Sequence, residues 1–292
     1  MKELVVISGK GGTGKTSIAA ALALLADRPV VADCDVDAAD LHLLLAPEVK
    51  ERHEFISGHE AIIRAADCTG CGRCAELCRF AAIHQRKGID GRIVYAVDPV
   101  ACEGCGVCVR FCPAKAIDLP DSRCGEWMVS DTRVGPMVHA RLAAAAENSG
   151  KLVSLVRKEA RRVAEESGRD LIIVDGPPGI GCPVIASLTC ANWVLVVTEP
   201  TVSGEHDMAR VLELARHFGI PAAVCINKYD INLGTAVRIE SAARANGAFI
   251  AGRIPYDRKV TEAQIMGKSV VETGGPAAEA IQQLWRVLCR ML

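Results

Sequence analysis

The sequence predicts an α/β protein with a mostly parallel sheet covered by helices on both faces, and with a small α+β insertion. Three observations predict it. Near-continuous apolar runs alternate with helical patterns along most of the chain. A glycine-rich loop joins the first apolar run to the first helical pattern. Eight of the 14 cysteines lie between Cys68 and Cys112, where the alternation stops.

The regular elements follow from these apolar runs and helical patterns. We expect strands at 4–7, 29–32, 171–174, 193–198, 222–226 and 249–254, because each is a short, almost wholly apolar run. Helical patterns lie between and after them, at 17–26, 151–167, 204–218, 234–245 and 276–291. Buried strands that are joined by helical crossovers form a parallel sheet with both faces covered.

Composition sets limits on the partners and the compartment. The 292 residues are 50% hydrophobic, with 34 Lys and Arg against 35 Asp and Glu and 4% aromatics. This balance predicts neither the basic field nor the stacking aromatics of a nucleic-acid binder. The chain starts without the cleavable apolar stretch of a signal peptide, and no apolar run is long enough to span a membrane. We therefore expect a cytoplasmic protein whose cysteines are reduced.

The glycine-rich loop carries the first chemistry. Residues 9–16 read Gly-Lys-Gly-Gly-Thr-Gly-Lys-Thr, which satisfies G-x-x-x-x-G-K-[ST] between a strand and a helix. Backbone N–H groups and the helix N-terminus would hold phosphate oxygens, Lys15 would neutralise the β- and γ-phosphates, and Thr16 would ligate Mg²⁺. The alternative is a glycine-rich turn without a ligand.

Lys10 adds a second lysine to this P-loop. The loop thereby resembles the deviant P-loop of the MinD/ParA, ArsA and nitrogenase iron-protein group. The resemblance implies an ATPase in which Lys10 reaches the phosphates of a partner across a nucleotide-sandwich dimer, formed with a second copy or with a related ATPase. A phosphate contact within the same chain, or a solvated lysine, is the alternative.

Other segments resemble this group in the same order. Residues 33–37 resemble switch I, in which Asp35 matches the residue that positions the attacking water. The apolar run ending at Asp175 resembles Walker B, whose carboxylate holds Mg²⁺ through water, and 176–179 resemble switch II. Asn227 matches an adenine contact, although Asn-Lys-x-Asp ending at Asp230 would also suit GTP, and 254–257 resemble the loop that closes over the base.

The catalytic residues implied by these matches are Lys10, Lys15 and Asp35. The residues implied to contact ATP or ADP are Gly9, Lys10, Gly11, Gly12, Thr13, Gly14, Lys15, Thr16, Ser17, Asp175, Asn227, Lys228, Pro255 and Tyr256.

The cysteine-rich segment is a duplication. Each of the first four cysteines of this segment has a counterpart 34 residues later, and Ala82-Ile83 has the counterpart Ala116-Ile117. The spacing is that of bacterial two-cluster ferredoxins, in which each fourth cysteine ligates the other cluster. That pattern implies two [4Fe-4S] clusters, one held by Cys68, Cys71, Cys74 and Cys112 and the other by Cys102, Cys105, Cys108 and Cys78. Zinc is the competing metal, and Arg79 departs from the usual proline, which Pro113 keeps.

The remaining cysteines have two interpretations. Cys34, Cys190, Cys225 and Cys289 lie in apolar stretches, and we expect them in the core. By its offset from Asp175, Cys182 resembles a cysteine of the nitrogenase iron protein that ligates a bridging cluster. Cys124 would be the second ligand, so a third cluster is an open alternative.

The whole chain resembles MinD-superfamily P-loop ATPases that carry an inserted ferredoxin domain. The match extends to 135–140 and 147–151. We expect an ATPase domain at 1–62 and 120–292, with the ferredoxin-like insertion at 63–119.

The favoured function is electron transfer gated by ATP, with an unidentified redox partner. The alternatives are an assembly or positioning ATPase with redox-sensing clusters and an iron–sulfur carrier. The C-terminal helix has an apolar stripe that could pack on the sheet or bind a membrane. With two basic residues beside it, we expect no membrane attachment.

Overall fold

We describe residues 1–88, 90–143 and 149–292 from a computed structural model. The chain divides into two compact units. The first comprises Met1–His53, Glu126–Leu142 and Ser149–Leu292, and the second comprises Glu54–Gly125 together with Ala143. The second unit thus begins earlier and ends later than the expected insertion at 63–119. Glu147 and Asn148, which belong to one of the matched motifs, lie outside the described residues.

The strands of both units are β1 Lys2–Ser8, β2 Val30–Asp33, β3 Glu48–His59, β4 Ile62–Ile63, β5 Ile83–Lys87, β6 Ile93–Val97, β7 Ile117–Asp118, β8 Asp121–Thr132, β9 Gly135–Leu142, β10 Leu171–Pro178, β11 Trp193–Thr198, β12 Ala222–Asn227 and β13 Phe249–Ile254. The helices are α1 Lys15–Leu25, α2 Leu41–Leu45, α3 Arg73–Leu77, α4 Val107–Phe111, α5 Ser149–Glu166, α6 Cys182–Leu188, α7 Val202–His217, α8 Leu233–Ala245, α9 Arg258–Ile265, α10 Val270–Thr273 and α11 Pro276–Leu288, with a 3₁₀ helix at Tyr229–Ile231.

The main sheet confirms the predicted α/β class. Its strand order is β13-β12-β11-β1-β10-β2-β9-β8-β3, and the pairs from β13 through β9 are parallel. The strand β1 lies between β10 and β11 and is almost entirely buried, as its unbroken apolar run predicts. All strand carboxyl ends of this parallel part meet at one edge, where ligands bind in open α/β sheets.

The sheet extends further than the sequence predicts. Two residues connect β8 to β9, so the pair forms a hairpin, and β9 lies parallel beside β2 with His139 opposite Asp33. Ser130 Oγ and His139 Nε2 lie 2.8 Å apart in this hairpin, and both side chains are buried. Burial lowers the pKa of His139 to about 4.

The last helix packs on the core. Ile281, Leu284 and Leu288 of α11 are buried in the same cluster as α1 and the sheet residues beneath it. Trp285 and Met291 are partly buried against that cluster. The apolar stripe therefore has a partner within the first unit. Within the described part of the chain, no helix is long and apolar enough to cross a membrane.

The second unit contains two halves with the same backbone features. Helices α3 and α4 each begin after a left-handed glycine, Gly72 at φ 77° and Gly106 at φ 71°. These glycines are 34 residues apart, as are the cysteines. Strands β4 and β7 pair antiparallel, and β5 and β6 form a second antiparallel pair. The duplication seen in the sequence is therefore also a structural duplication.

Candidate functional site

The P-loop connects β1 to α1 at the carboxyl edge of the sheet. Gly14 is the N-cap of α1 and adopts φ 85°, a left-handed conformation that glycine takes without strain. Gly9 lies directly against α7, where a Cβ would come within 2.7 Å of the Asp207 backbone carbon. These two glycines explain why the loop can follow its path so close to neighbouring elements.

Lys15 lies among carboxylates. Its Nζ is 2.6 Å from Asp175 Oδ1 and 3.4 Å from Asp35 Oδ2, and it donates to Thr16 Oγ1 at 3.3 Å. Burial alone would lower the pKa of Lys15, but the Asp175 and Asp35 carboxylates outweigh burial and raise that pKa above its ordinary value. The structure thus brings together the predicted Mg²⁺, phosphate and water-positioning residues around one ammonium group.

Asp33 completes this group. It is fully buried, and its Oδ1 accepts from the Asp35 backbone N–H at 3.2 Å. Burial, reinforced by the charge of Asp175, raises the pKa of Asp33 well above its ordinary value. Asp33 Oδ2 and Asp175 Oδ2 are buried and have no hydrogen-bond partner among the described residues. Unpartnered carboxylate oxygens beside Thr16 fit the oxygen ligands that Mg²⁺ and its waters require.

Lys10 contacts its own chain. Its Nζ donates to Ser203 Oγ at 3.1 Å and to Thr201 Oγ1 at 3.3 Å, and it lies 3.9 Å from Glu199 Oε2. Glu199 also pairs with Lys228 Nζ at 2.6 Å. Glu199, which follows β11, was not among the predicted residues, because one acid after a strand forms no recognisable pattern.

Asn227 and Lys228 hold the P-loop from the other side. Asn227 Nδ2 donates to the Thr13 carbonyl at 2.8 Å, and Lys228 Nζ donates to the Gly12 carbonyl at 3.5 Å. Lys228 adopts φ 54°, in the left-handed region of backbone conformation. Both side chains therefore fix the loop as well as border the space next to it.

A cavity of about 410 Å³ opens at this edge, within the size range of small-ligand sites. Asp175, Gly9 and Lys10 are not among the residues that line it in the described part of the chain. The lining includes these predicted residues: Gly11, Gly12, Thr13, Gly14, Lys15, Thr16, Ser17, Asp35, Asn227, Lys228, Pro255 and Tyr256. Pro178, from the segment that resembles switch II, also lines it. Sequence reasoning missed another group of lining residues, which form no motif: Ser8, Ile18, Ala38, Asp40, Val260, Thr261, Gln264, Val270 and Ile281.

The second unit contains two cysteine-lined cavities. The first cysteine cavity is lined by Cys68, Cys71, Cys74 and Cys112. The second cysteine cavity is lined by Cys78, Cys102, Cys105 and Cys108. Each cavity thus takes three cysteines from one repeat and the fourth from the other repeat. These are the two sets of four that the ferredoxin pattern implies.

The surroundings of these cysteines are apolar and carry backbone donors. Ala82 N–H donates to Cys78 Sγ and Ala116 N–H donates to Cys112 Sγ, each at 3.4 Å. Burial raises the pKa of Cys74 and of Cys108, the third cysteine of each triplet. Across residues 1–88, 90–143 and 149–292, no three His, Cys, Asp or Glu side chains converge tightly enough for one metal ion.

The other cysteines divide differently from expectation. Cys34 and Cys225 are buried as predicted, and burial raises the pKa of Cys225 to about 12. The prediction was wrong for Cys190 and Cys289, which are exposed. Each follows the last residue of a helix by one or two positions, where the apolar face ends.

The proposed ligands of a third cluster differ in accessibility. Cys124 is buried in the second unit, where its thiol donates to the Ser57 carbonyl at 2.9 Å. Cys182 is exposed at the start of α6 in the first unit.

The parallel sheet, the P-loop at its carboxyl edge and the lysine among buried carboxylates define a P-loop nucleotide-binding protein. Comparison with known proteins then gives the family. Residues 4–270 match the model of the CobQ/CobB/MinD/ParA nucleotide binding domain. The chain belongs to this family and is a MinD/ParA-like P-loop ATPase.

Individual relatives agree with this family. The chain is 30% identical over 290 residues to an uncharacterized protein of Methanocaldococcus jannaschii, MJ0578, covering 98% of this chain and 96% of that protein. It is 25% identical to the uncharacterized ATP-binding protein MJ0169 of the same organism, covering 98% and 87%. Its fold is similar to the septum site-determining protein MinD from Pyrococcus horikoshii OT3, solved with Mg-ADP, with a TM-score of 0.59, 16% identity and coverage of 98% and 95%.

Proposed function

We propose that this protein hydrolyses ATP and couples its nucleotide state to two [4Fe-4S] clusters in the second unit, so that ATP gates electron transfer to or from a redox partner. One observation carries the proposal. A chain with a P-loop site also has two cavities that each bring together four cysteines, with the fourth exchanged between repeats.

The nucleotide half of the proposal rests on Lys15 and its neighbours. The P-loop N–H groups orient the phosphates, and Lys15 turns from Asp175 and Asp35 toward the β- and γ-phosphates as negative charge arrives there. Thr16 and Asp175 would hold Mg²⁺, which neutralises phosphate charge when it is bound. Asp35, freed from Lys15, orients the attacking water. The ATP-binding description of the relative MJ0169 supports ATP as the nucleotide.

The cluster half rests on the two cysteine cavities. Bound there, [4Fe-4S] clusters would supply one-electron chemistry. The chain's own part is to exclude water with apolar walls and to donate N–H groups to sulfur, two features that set cluster potentials. Arg79 follows Cys78 directly, whereas Pro113 follows Cys112, so the two cavities have different electrostatic surroundings.

Coupling is supported by the path of the chain. Two boundaries between the units fall within β3 and β8, and another follows β9. The hairpin partner of β8 is β9, which pairs with β2, and β2 ends at Asp33. A change in the carboxylate group around Lys15 therefore acts on strands that continue into the second unit.

Metal analysis tests the cluster half. Protein purified without oxygen should contain about eight iron and eight sulfide per chain. Cys78→Ala should damage the cluster otherwise held by the second triplet and remove up to about half of the iron. Cys289→Ala is the matched control, since that exposed thiol lies outside both cavities, and it should retain all the iron. Zinc in place of iron would end the ferredoxin interpretation.

A second candidate is an assembly or positioning ATPase whose clusters sense redox state, which the similarity to MinD supports. Such a protein should assemble with ATP in a way that depends on cluster oxidation, without passing electrons to an acceptor. An iron–sulfur carrier would instead transfer its clusters to an apoprotein. Stopped-flow reduction of an acceptor dye, with ATP and with ADP, separates these functions from gated electron transfer.

A further inference from the structure

The strongest feature that the proposed function leaves unexplained is Asp230. It occupies the fourth position of Asn227-Lys228-x-Asp230, the arrangement that would also suit guanine. Guanine presents its N1–H and N2–H donors side by side, and a carboxylate reads them by accepting with both oxygens. Asp230 Oδ1 instead accepts from the Tyr256 backbone N–H at 2.7 Å.

The element that carries Asp230 is anchored independently. Asp230 lies in the 3₁₀ helix Tyr229–Ile231, and the guanidinium of Arg253 stands 5.8 Å from the centre of the Tyr229 ring. Arg253 is itself paired with Glu240, which is buried. The carboxylate is therefore attached to a 3₁₀ helix that side-chain contacts hold in place, and not to a free loop.

The segment that Asp230 contacts is also held at its other end. Asp257 is the N-cap of α9, where it accepts from Lys259 N–H at 3.0 Å, and its Oδ2 accepts from Ala277 N–H at 3.2 Å at the start of α11. Two carboxylates thus hold the backbone on either side of the Tyr256 side chain. Tyr256 and Pro255 line the nucleotide cavity, whereas Asp230 is not among its described lining residues.

We propose that Asp230 is a positioning residue that holds Tyr256 against the base of an adenine nucleotide, and that it does not read guanine. The inference rests on the proposed function, since it concerns the same nucleotide site. One oxygen of Asp230 accepts from the Tyr256 backbone N–H, and Asp230 is not among the described residues that line the cavity, so its carboxylate serves the polypeptide rather than the base. Adenine has no such pair of donors and needs only the aromatic face and the shape of the cavity.

Equilibrium binding of ADP and GDP tests the proposal. Wild-type protein should bind ADP at least tenfold more tightly than GDP. Asp230→Ala should weaken ADP binding about tenfold, because it removes one charge-assisted hydrogen bond. Asp230→Asn keeps an acceptor oxygen and should stay within about threefold of the wild type. Glu213→Ala, which removes an exposed carboxylate from α7, is the matched control and should change nothing.

A double-mutant cycle shows whether Asp230 acts through Tyr256. In a Tyr256→Ala background, Asp230→Ala should cost less than about twofold, because the side chain it positions is gone. In steady-state hydrolysis, Asp230→Ala should raise KM much more than it lowers kcat, since ground-state and transition-state binding are lost together. Thermal unfolding of each variant checks that the fold is intact.

Two outcomes overturn the inference while leaving the nucleotide site in place. One is tighter binding of GDP than ADP with loss of GDP binding in Asp230→Asn. The other is a tenfold cost of Asp230→Ala that persists in the Tyr256→Ala background. If neither nucleotide binds to the wild type, the proposed function itself fails.

Discussion

At the scale of single residues, the nucleotide site concentrates charge in a buried place. One ammonium group, that of Lys15, faces Asp175, Asp35 and the buried Asp33. Three carboxylates and one lysine leave an excess of negative charge, which a divalent cation would neutralise. When a nucleotide and Mg²⁺ bind, Lys15 would therefore pair with the phosphates, and the carboxylates would pair with the cation.

The two lysines of the P-loop should fail in different ways. Lys15→Ala should abolish ATP binding and hydrolysis, because it removes the charge that faces the phosphates. Lys10→Ala should keep nucleotide binding within about threefold, because Lys10 contacts Thr201 and Ser203 and is not among the described residues that line the cavity. It should lose turnover, because the sandwich-dimer role would place Lys10 on the phosphates of a partner. Equilibrium binding and phosphate release measure both effects. Turnover by a monomeric Lys10→Ala protein at the wild-type rate would contradict the sandwich-dimer role of Lys10.

His139 should make folding stability depend on pH. Its pKa is lowered by burial from 6.5 to about 4, so the unfolded chain binds more protons between these values. Stability from this site is present above about pH 6.5 and is lost as the pH falls toward 4, by up to about 3 kcal/mol. His139→Gln keeps a polar partner for Ser130 and removes the titration.

Urea unfolding at pH 7, 5.5 and 4.5 measures the effect of His139→Gln. The difference in unfolding free energy between wild type and variant should move in favour of the variant as the pH falls. A difference that is constant with pH would show that His139 does not titrate in this way.

At the scale of elements, the sequence predicts the strands that are buried on both faces. The run at 193–198 has the bounds of β11 because five consecutive apolar residues lead up to Thr198. The strands β3, β8 and β9 were not predicted. Most of β3 is exposed, and β8 mixes polar with apolar positions, so neither forms an apolar run. These strands reach the sheet through β9, which pairs with β2. Local sequence patterns do not encode that tertiary contact.

The candidate site shows the same division. The P-loop could be predicted because its geometry needs glycines and a lysine at fixed spacing, and eight cysteines at two equal spacings are just as specific. Glu199 and Asp230 act through contacts with Lys10, Lys228 and the Tyr256 backbone, which only the folded chain brings together.

Helix α11 should contribute strongly to stability. Leu284→Ala should lower the free energy of unfolding by about 2–5 kcal/mol, because it removes a fully buried side chain from the core beside α1. Gln283→Ala, on the exposed face, is the matched control and should change stability by less than about 0.5 kcal/mol. Chemical denaturation measures both. Equal, small effects of the two variants would indicate that α11 leaves the core readily.

At the scale of the whole molecule, the nucleotide site and the proposed cluster sites lie on one chain that passes between the units within β3, within β8 and again after β9. A typical allosteric coupling of about 1–3 kcal/mol corresponds, for one electron, to a shift of about 40–130 mV in reduction potential. We therefore expect the cluster potentials to differ between the ATP and ADP complexes by an amount in this range.

Potentiometry with each nucleotide bound measures that shift. Lys15→Ala is the control, because a protein that cannot bind nucleotide should show no difference. Potentials that agree within about 10 mV would exclude gating through potential. Gating by docking alone would then require nucleotide-dependent binding of the redox partner.

The exchange of the fourth cysteine has a mechanical consequence. Each cysteine cavity takes three sulfurs from one repeat and one from the other, so bound clusters would form two cross-links between the repeats. Deleting either repeat would remove cysteines from both cavities, so neither cluster site could be kept without both repeats.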